Sequence, residues 1–468
     1  MLFSSLVFLW FFLPVVLVAS RLLPPRGQNA LLLAASLLFY AWGGPSYLIL
    51  MLVSITLNYV GGLAIAPARG AARKGVLAAV VAANLLLLGY FKYYTFAAES
   101  LTAIFGHAIL PAKEIALPIG ISFYTFQAMS YVIDLYRGRI QVQKNWFRLA
   151  LYISFFPQLI AGPIVQYVQV ADQLAARKLD TASTVYGVKR FLYGLAKKVI
   201  LANAFAAKAD EIFGLAPGDI STPLAWLGAL YYTLQIYYDF SGYSDMAIGL
   251  GRMFGFHFPE NFNYPYLSKS VTEFWRRWHM SLSGWFKEYL YIPLGGNRRG
   301  QGRTLINLFI VFLVTGLWHG ANWQFVAWGV YYGILLIVER LFLGKWLQRA
   351  PAIVGHLYAI LCFVCGWVIF RAPGLNAGLS LLKRMFLPSA GSAAYPVLRY
   401  LDLRMAVLLI AAVLLCGLLQ TLRPRLRESL YSESTPGVGQ SVVLLALGFL
   451  CVMLLVSSTY NPFIYFRF

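Results

Sequence analysis

Long apolar stretches separated by short polar or basic loops run along almost the whole chain. A helix needs about 20 predominantly apolar residues to cross a bilayer, and polar loops mark where each crossing ends. The pattern predicts an all-α polytopic membrane protein with about 11 transmembrane helices, organised as a single integral-membrane domain over residues 1–468. The apolar stretches lie at about 2–19, 29–46, 47–66, 76–93, 115–135, 148–168, 190–212, 222–252, 304–319, 322–339, 352–370, 405–420 and 440–457.

Helix-breaking residues interrupt some of these stretches. Pro157 and Pro163 fall inside the sixth stretch, and the pair Ser241 and Gly242 falls inside the eighth. Backbone groups freed by such a break are tolerated at membrane depth only where protein or water satisfies them. We therefore expect re-entrant or interfacial segments at about 150–168 and 270–325.

One histidine lies at the end of an apolar run. The stretches Leu305–Leu317 and Gln324–Val338, on either side of His319, contain no charged residue. An ionisable side chain at this depth usually faces a bundle interior or a water-filled cavity. Because imidazole exchanges a proton near neutral pH, the pattern predicts acid-base chemistry inside a membrane, on a hairpin that turns near His319.

Composition supports the membrane prediction and gives the orientation. The chain is 60% hydrophobic and only 12% charged, whereas soluble domains carry about 25% charged residues. The net charge of +21 is explained by Lys and Arg in cytoplasmic loops, so no nucleic-acid partner is expected. The basic loops at 21–26, 69–74, 137–148, 295–303 and 423–427 are accordingly placed on the cytoplasmic side.

The densest polar cluster lies at residues 270–291. If this segment is one helix, Arg276, His279 and Ser283 share a face, and Glu273 can pair with Arg277. The alternative is an amphipathic helix at the bilayer surface. In that case three tryptophans anchor it at the interface: Trp275, Trp278 and Trp285. For His279 both interpretations stay open.

Two aspartates interrupt the eighth apolar stretch. Buried carboxylates need partners, and Arg276 or Arg277 could supply them to Asp239 and Asp245. For both aspartates, a structural ion pair is favoured over catalysis.

The sequence predicts neither a metal site nor a disulfide. His279 and His319 are 40 residues apart and lack the spacing of paired metal ligands. The four cysteines lie in apolar runs, where they are expected to be small buried hydrophobic residues: Cys362, Cys365, Cys416 and Cys451.

Several longer motifs resemble those of the membrane-bound O-acyltransferase (MBOAT) family, most closely its members that acetylate exported polysaccharides such as alginate. The motifs are EFWRRWHMSLS at 273–283, YLYIPLGGNR at 289–298, GLWHGAN at 316–322, LPIGISFY at 117–124, FPQLIAGP at 156–163, YDFSGYSDMAIG at 238–249 and YNPFIYF at 460–466. The resemblance implies a bundle of transmembrane, re-entrant and interfacial helices around a central funnel, with the catalytic core at about 115–345. It also implies a multi-pass protein of a bacterial inner membrane.

The resemblance further implies that His319 is the catalytic histidine and His279 the second active-site histidine. His319 would act as general base, or alternatively as nucleophile, and His279 with Arg276 or Tyr289 would position the donor or stabilise the oxyanion. No cofactor is bound, and acetyl-CoA or an acyl carrier protein is the expected donor. The basic loop at 295–303 attracts the donor's phosphates or is ordinary cytoplasmic charge. The expected substrate- or donor-binding residues are Arg276, Tyr289, Asn322, Trp318, Asp239 and Asp245.

The implied activity is O-acetylation of an exported polysaccharide, either directly or through an extracytoplasmic acetyltransferase partner. Three alternatives remain open on the sequence. The first is D-alanyl transfer to teichoic acid from a carrier protein, and the second is a long-chain protein acyltransferase. The third is a glycan or lipid transporter without chemistry, in which Asp239, Asp245 and His319 form a proton path.

Overall fold

A computed structural model describes residues 1–111, 113, 115–458 and 460–464. Within these residues every regular element is a helix, and the only β-type pairing is one isolated antiparallel bridge between Phe262 and Trp278. The last two residues of the predicted tail motif, Tyr465 and Phe466, lie outside the described residues. The contacts divide the chain into two compact units.

The first unit comprises residues 1–191, 244–259 and 433–437. Its helices are α1 Leu13–Leu22, α2 Pro25–Ala41, α3 Pro45–Ile65, α4 Gly70–Leu88, α5 Tyr94–Phe105, α6 Ile121–Tyr136, α7 Trp146–Ser154, α8 Phe156–Leu159, α9 Tyr167–Ala175 and most of α10 Thr181–Ala196. π-helical turns at Phe8–Phe12 and Gly89–Tyr93 extend α1 and α4. A cluster of phenylalanine rings, including Phe8, Phe39 and Phe156, packs its interior.

The second unit comprises residues 192–243, 260–432 and 438–468. Its helices are α11 Asn203–Phe213, most of α12 Thr222–Met253, α13 Val271–Arg277, α14 Met280–Phe286, α15 Gly300–His319, α16 Trp323–Val338, α17 Gly344–Arg349, α18 Ala352–Arg371, α19 Leu375–Phe386, α20 Val397–Tyr400, α21 Leu403–Val413, α22 Leu419–Leu422, α23 Pro424–Tyr431 and α24 Val438–Ser457. Short 3₁₀ or π-helical turns lie at Lys197–Ala202, Pro217–Asp219, Pro265–Leu267, Lys287–Tyr291, Glu339–Leu343 and Leu414–Leu418.

Seven helices in the described part of the chain are long and apolar enough to cross a membrane. They are Pro45–Ile65, Gly70–Phe105, Gly300–His319, Trp323–Arg349, Ala352–Arg371, Leu403–Leu422 and Val438–Ser457, with shorter apolar helices at Phe8–Leu22 and Gly27–Ala41. The prediction of an all-helical polytopic membrane protein is confirmed. The seven spans are fewer than the predicted count because the apolar stretches before residue 254 include short, broken or polar helices.

The two predicted interruptions have different outcomes. The break around Pro157 is confirmed, since α7 ends at Ser154 and Phe155 leaves the helical conformation. The break at Ser241 and Gly242 is wrong, because α12 continues from Thr222 to Met253. A Cβ on Gly242 would lie 2.7 Å from the carbonyl oxygen of Gly194. This glycine therefore permits close helix packing and does not end the helix.

The predicted hairpin before and after His319 is confirmed as α15 and α16, which pack closely against each other. Small residues set the approach of the two backbones. A Cβ on Gly316 would lie 2.2 Å from the carbonyl oxygen of Phe325, and one on Gly329 would lie 2.6 Å from that of Phe312. In a bilayer the hydrophobic effect does not drive helices together, so their association depends on van der Waals packing of this kind.

Replacing Gly316 with alanine is expected to destabilise this hairpin. The added methyl group meets a backbone carbonyl that cannot rotate away, and overpacking of this kind costs about 1–3 kcal/mol. The measurement is the thermal unfolding midpoint of the purified protein in detergent. Gly302→Ala on the same helix is the control, since nothing lies within 4 Å of its Cβ position. Equal midpoints for the two variants would contradict the packing argument.

Candidate active site

His319 ends α15 and is buried among aromatic rings. Its imidazole lies edge-to-face against Trp328 and Phe370, with ring centroids 5.2 and 5.1 Å apart. Gly320 follows in an extended conformation, and Asn322 caps α16 by accepting a hydrogen bond from the backbone N–H of Gln324. The hairpin turn therefore fixes the histidine at the end of a rigid helix with only 8% of its surface exposed.

His279 lies in a break between two short helices. Residue 278 is extended, and His279 itself adopts the left-handed conformation with φ 45° and ψ 54°. For a residue with a Cβ this conformation costs about 1–2 kcal/mol. The prediction of one continuous helix through 270–291 is therefore wrong. The backbone N–H of Met280 donates to the carbonyl of Asn261, and that of Asn263 to the carbonyl of Arg277, so a neighbouring segment holds the strained backbone in place.

The side chain of His279 is anchored by the same segment. Its Nδ1 lies 3.0 Å from Oδ1 of Asn261, and Phe240 packs edge-to-face on the ring at 4.6 Å. Burial, and secondarily the neighbouring His319, lower the pKa of His279 well below its ordinary value of 6.5. This residue lies outside the seven candidate spans. A neutral imidazole is therefore the form that the folded protein stabilises.

A cavity of about 320 Å³ leads to His279. One wall is the α15 face that carries Leu308, Val311 and Thr315, spaced three and four residues apart. With a rise of 1.5 Å per residue, these positions follow the helix for about 10 Å. His319 is the next position on that face, four residues after Thr315, although it does not itself line the cavity. Ser283 and Arg276 also line it, so the three side chains meet at one cavity although the helix break removes the predicted shared helix face.

Basic side chains cluster along this cavity and a neighbouring one. A second cavity of about 710 Å³ adjoins it and shares Thr272, Arg276 and Arg340 with it. Five exposed cations line the two cavities, and none forms an ion pair with a described carboxylate: Lys269, Arg276, Lys287, Arg340 and Lys345. We call these residues the basic groove.

The two carboxylates beside the basic groove are occupied by other partners. Glu339 accepts hydrogen bonds from the backbone N–H groups of Val271 and Thr272, at 2.6 and 2.8 Å, and so holds the N-terminus of α13. Glu273 pairs with Arg277 at 2.7 Å, as predicted from their spacing. The charge of Glu273 is balanced by Arg277, which leaves Glu339 as one negative charge against five cations, so the groove keeps a positive charge that suits an anion.

The two aspartates of α12 have structural partners, but not the predicted ones. Asp239 pairs with Lys198 at 2.8 Å, and Asp245 pairs with Arg190 at 2.7 Å. The prediction that Arg276 or Arg277 pairs with these aspartates is wrong. Arg276 lines the basic groove, and Arg277 pairs with Glu273. Neither aspartate lines the cavities that adjoin His279.

The remaining predicted residues divide into those near the histidines and those away from them. The indole ring of Trp318 contacts both imidazoles, with centroids 6.2 Å from His279 and 5.1 Å from His319. Tyr289 is buried against Trp285 and does not line the cavity, whereas Tyr291 does. Asn322 is exposed and serves as a helix cap.

The predicted interfacial tryptophans are instead part of the core. Trp275, Trp278 and Trp285 are all buried, and Trp275 packs edge-to-face on Trp328 and Tyr332. The anchoring role considered for them is therefore wrong. The rings of Trp275 and Trp278 pack on Trp328 and Trp367, whereas that of Trp285 packs on Phe286 and Tyr289.

The region that contains this site also matches the model of a known protein family. The family model for membrane-bound O-acyltransferases matches residues 144–382, a range that contains both histidines, the hairpin and the basic groove. The chain belongs to the membrane-bound O-acyltransferase family. It is thus a multi-pass membrane acyltransferase.

Individual relatives of this acyltransferase extend the similarity over the whole chain. It is 41% identical to the probable alginate O-acetylase of Azotobacter vinelandii, over 100% of both chains. It is 47% identical to the probable alginate O-acetylase of Pseudomonas aeruginosa, over 82% of this chain and 75% of that protein. It is also 38% identical to the peptidoglycan O-acetyltransferase of Helicobacter pylori, over 82% and 80% of the two chains.

Sequence reasoning missed two residues that organise the site of this acyltransferase. Glu339 could have been predicted from the sequence, because a lone carboxylate at the end of an apolar stretch needs a specific partner. Asn261 carried none, since it has no fixed spacing to His279 and its aromatic surroundings suggest only packing. Among the described residues, no group of three or more potential metal ligands comes together.

Proposed function

We propose that this acyltransferase moves an acetyl group from a cytoplasmic thioester, acetyl-CoA, to hydroxyl groups of an exported polysaccharide such as alginate. The observation that carries the proposal is the cavity that runs from the basic groove along α15 to His279, with His319 next on the same helical face. The relatives named for alginate and peptidoglycan acetylation support the acetyl group and the glycan acceptor.

In the proposed step His319 is the general base. Neutral imidazole takes the proton of the attacking hydroxyl while the new ester C–O bond forms at the acetyl carbon. The thioester C–S bond then breaks, and the proton passes to the departing thiolate, so that free CoA thiol leaves. Direct attack by the imidazole on the thioester is an alternative first half of the same exchange.

The donor assignment is supported by the charge of the basic groove. CoA carries its phosphates at the end opposite the thioester. The basic groove therefore suits the phosphates, and the apolar part of the cavity along α15 suits the thioester end. Arg in particular forms strong charge-assisted hydrogen bonds with phosphate oxygens. An acyl carrier protein also presents a phosphate-linked arm, and it is the alternative donor.

The finer features of the architecture belong to the same proposal. They are a bundle of about 11 transmembrane helices, with re-entrant and interfacial helices, around a central funnel, acting as one catalytic domain with its core at about 115–345. We place it in a bacterial inner membrane, with the basic groove facing the cytoplasm in keeping with the positive-inside rule. An extracytoplasmic acetyltransferase is the proposed partner where the polysaccharide is not the direct acceptor.

The test is acetyl transfer by the purified protein in liposomes. Radiolabelled acetyl-CoA is supplied with mannuronate oligomers, and both label on the oligomers and release of CoA thiol are followed. Parallel reactions contain palmitoyl-CoA or a D-alanyl carrier-protein thioester. Preferential consumption of acetyl-CoA is the expected result. Consumption of the carrier thioester alone, with no turnover of acetyl-CoA, would point to D-alanyl transfer.

A second candidate, a transporter without chemistry, loses its main support. The proposed proton path required Asp239 and Asp245 to be available, and both are occupied in buried ion pairs.

Neutralising the basic groove is expected to weaken donor binding. The double variant Arg276→Gln with Arg340→Gln should raise the KM for acetyl-CoA. Each phosphate contact that is lost costs about 1.5 kcal/mol of binding free energy, which corresponds to roughly a tenfold rise in KM per contact. The value of kcat should change much less, because the groove contacts the non-reacting end of the donor.

The matched control is Arg298→Gln with Arg299→Gln, which removes the same charge from two exposed arginines in the loop just before α15. We expect its KM to remain near that of the wild type. If the loop variant raises KM and the groove variant does not, the donor's phosphates bind at the loop.

A further inference from the structure

The side chain of Asn261 contacts both Ser281 and the imidazole of His279. Its side-chain oxygen Oδ1 lies 3.2 Å from the backbone nitrogen of Ser281, 2.8 Å from the hydroxyl of Ser281 and 3.0 Å from Nδ1 of His279. A backbone N–H can only donate, so the atom facing it must be the amide oxygen and not the amide nitrogen. The orientation of the Asn261 amide is thereby fixed.

This orientation selects one tautomer of the imidazole. An amide oxygen only accepts hydrogen bonds, so the Nδ1 atom that faces it must carry the proton. In neutral imidazole the other nitrogen, Nε2, then has a lone pair and no proton. Nε2 of His279 is buried and has no hydrogen-bond partner among the described residues. Buried polar atoms are nearly always satisfied, so an orphan beside a cavity points to a ligand group.

We propose that Asn261 is a positioning residue that holds His279 as the Nδ1–H tautomer, so that Nε2 accepts a hydrogen bond from a substrate hydroxyl or amide N–H. The inference rests on the proposed function and narrows it. A neutral His279 in this tautomer cannot donate to the thioester oxygen, so the oxyanion role considered from the sequence passes to other groups. Burial also lowers the pKa of His279, which disfavours the doubly protonated ring that could donate.

The first readout is spectroscopic and needs no substrate. A protonated ring nitrogen and one with a lone pair differ widely in nitrogen-15 chemical shift, and the chain has only five histidines to label. His279→Gln identifies the two signals. We expect Nδ1 protonated and Nε2 unprotonated in the wild type, with a preference of about tenfold or more. A proton on Nε2 at neutral pH would overturn the proposal.

Three variants separate positioning from folding. Asn261→Leu should lose the tautomer preference and slow transfer about 10- to 100-fold, as expected for a partner that orients a catalytic-site histidine. Ser281→Ala is the matched control. It removes the hydroxyl that donates to Oδ1 of Asn261 and lies 3.5 Å from Nδ1 of His279, but it leaves the shorter contact between that Oδ1 and Nδ1, so it should keep the wild-type signals. If Ser281→Ala also loses the tautomer preference of His279, Asn261 is not the residue that sets this preference.

Asn261→Asp adds a readout that a purely structural role would not change. Its carboxylate still accepts from Nδ1–H but favours the imidazolium, in which Nε2 carries a proton and cannot accept. We therefore expect the transfer rate of Asn261→Asp to rise with pH relative to the wild type as this proton is lost. A rate that instead rises as pH falls would show that His279 acts as a donor, against the proposal. Failure of the wild type to turn over acetyl-CoA contradicts the proposed function alone, because the tautomer is measured without it.

Discussion

Replacing His319 with alanine is expected to abolish acetyl transfer, with a loss of at least 10²–10⁴-fold, the range that a positioned general base contributes. The residue ends the helix whose face lines the cavity, and no other imidazole continues that face. The rate of CoA thiol release at saturating acetyl-CoA measures the effect. His319→Gln should be almost as inactive, because glutamine preserves much of the side-chain volume but cannot take the proton.

The controls for this prediction separate chemistry from folding. His107 lies exposed in a loop, and its Nδ1 donates to the carbonyl oxygen of Phe105 at 3.1 Å, so His107→Ala should transfer acetyl at the wild-type rate. Both His319 variants should remain folded and monodisperse, and His319→Gln should unfold near the wild-type temperature, since glutamine fills much of the space between Trp328 and Phe370. Retention of more than about a tenth of the activity by a folded His319→Gln would remove His319 from the role of base.

Local sequence patterns predicted the parts of this site that depend on near neighbours. The hairpin before and after His319 follows from two uncharged apolar stretches, and the Glu273–Arg277 pair follows from their spacing on a helix. These features need no knowledge of the rest of the chain. The prediction from helical spacing failed directly after Arg277, where a strand-like pairing with the segment at Asn261 breaks the helix before His279.

The partners of the buried aspartates show a second limit. The sequence indicated that Asp239 and Asp245 need cations, but the cations that meet them come from residues 41 and 55 positions earlier in the chain. Such distances carry no periodic signal. The sequence nevertheless allowed a better prediction of these partners, because Arg190 and Lys198 are themselves charged residues in a predicted apolar stretch. Charges on two apolar helices satisfy each other most simply by pairing.

Breaking the Lys198–Asp239 pair is expected to have the largest effect on stability. Both side chains are almost fully buried, 3% and 2% exposed, and Oδ2 of Asp239 also accepts the backbone N–H of Ile464. Removing one member leaves the other charge buried without compensation, which costs about 3–5 kcal/mol. Lys198→Met and Asp239→Asn should each lower the free energy of unfolding by this amount, measured by titration with a denaturing detergent.

The double variant decides whether charge is the cause. Lys198→Met with Asp239→Asn removes both charges while asparagine keeps an acceptor for the Ile464 N–H, so it should recover most of the stability that either single change loses. Lys208→Met is the comparison for an exposed pair, because Lys208 and Glu211 are 24% and 50% exposed. It should cost no more than about 1 kcal/mol. A double variant as unstable as the sum of the singles would mean that these side chains stabilise the unit through packing and not through their mutual charge.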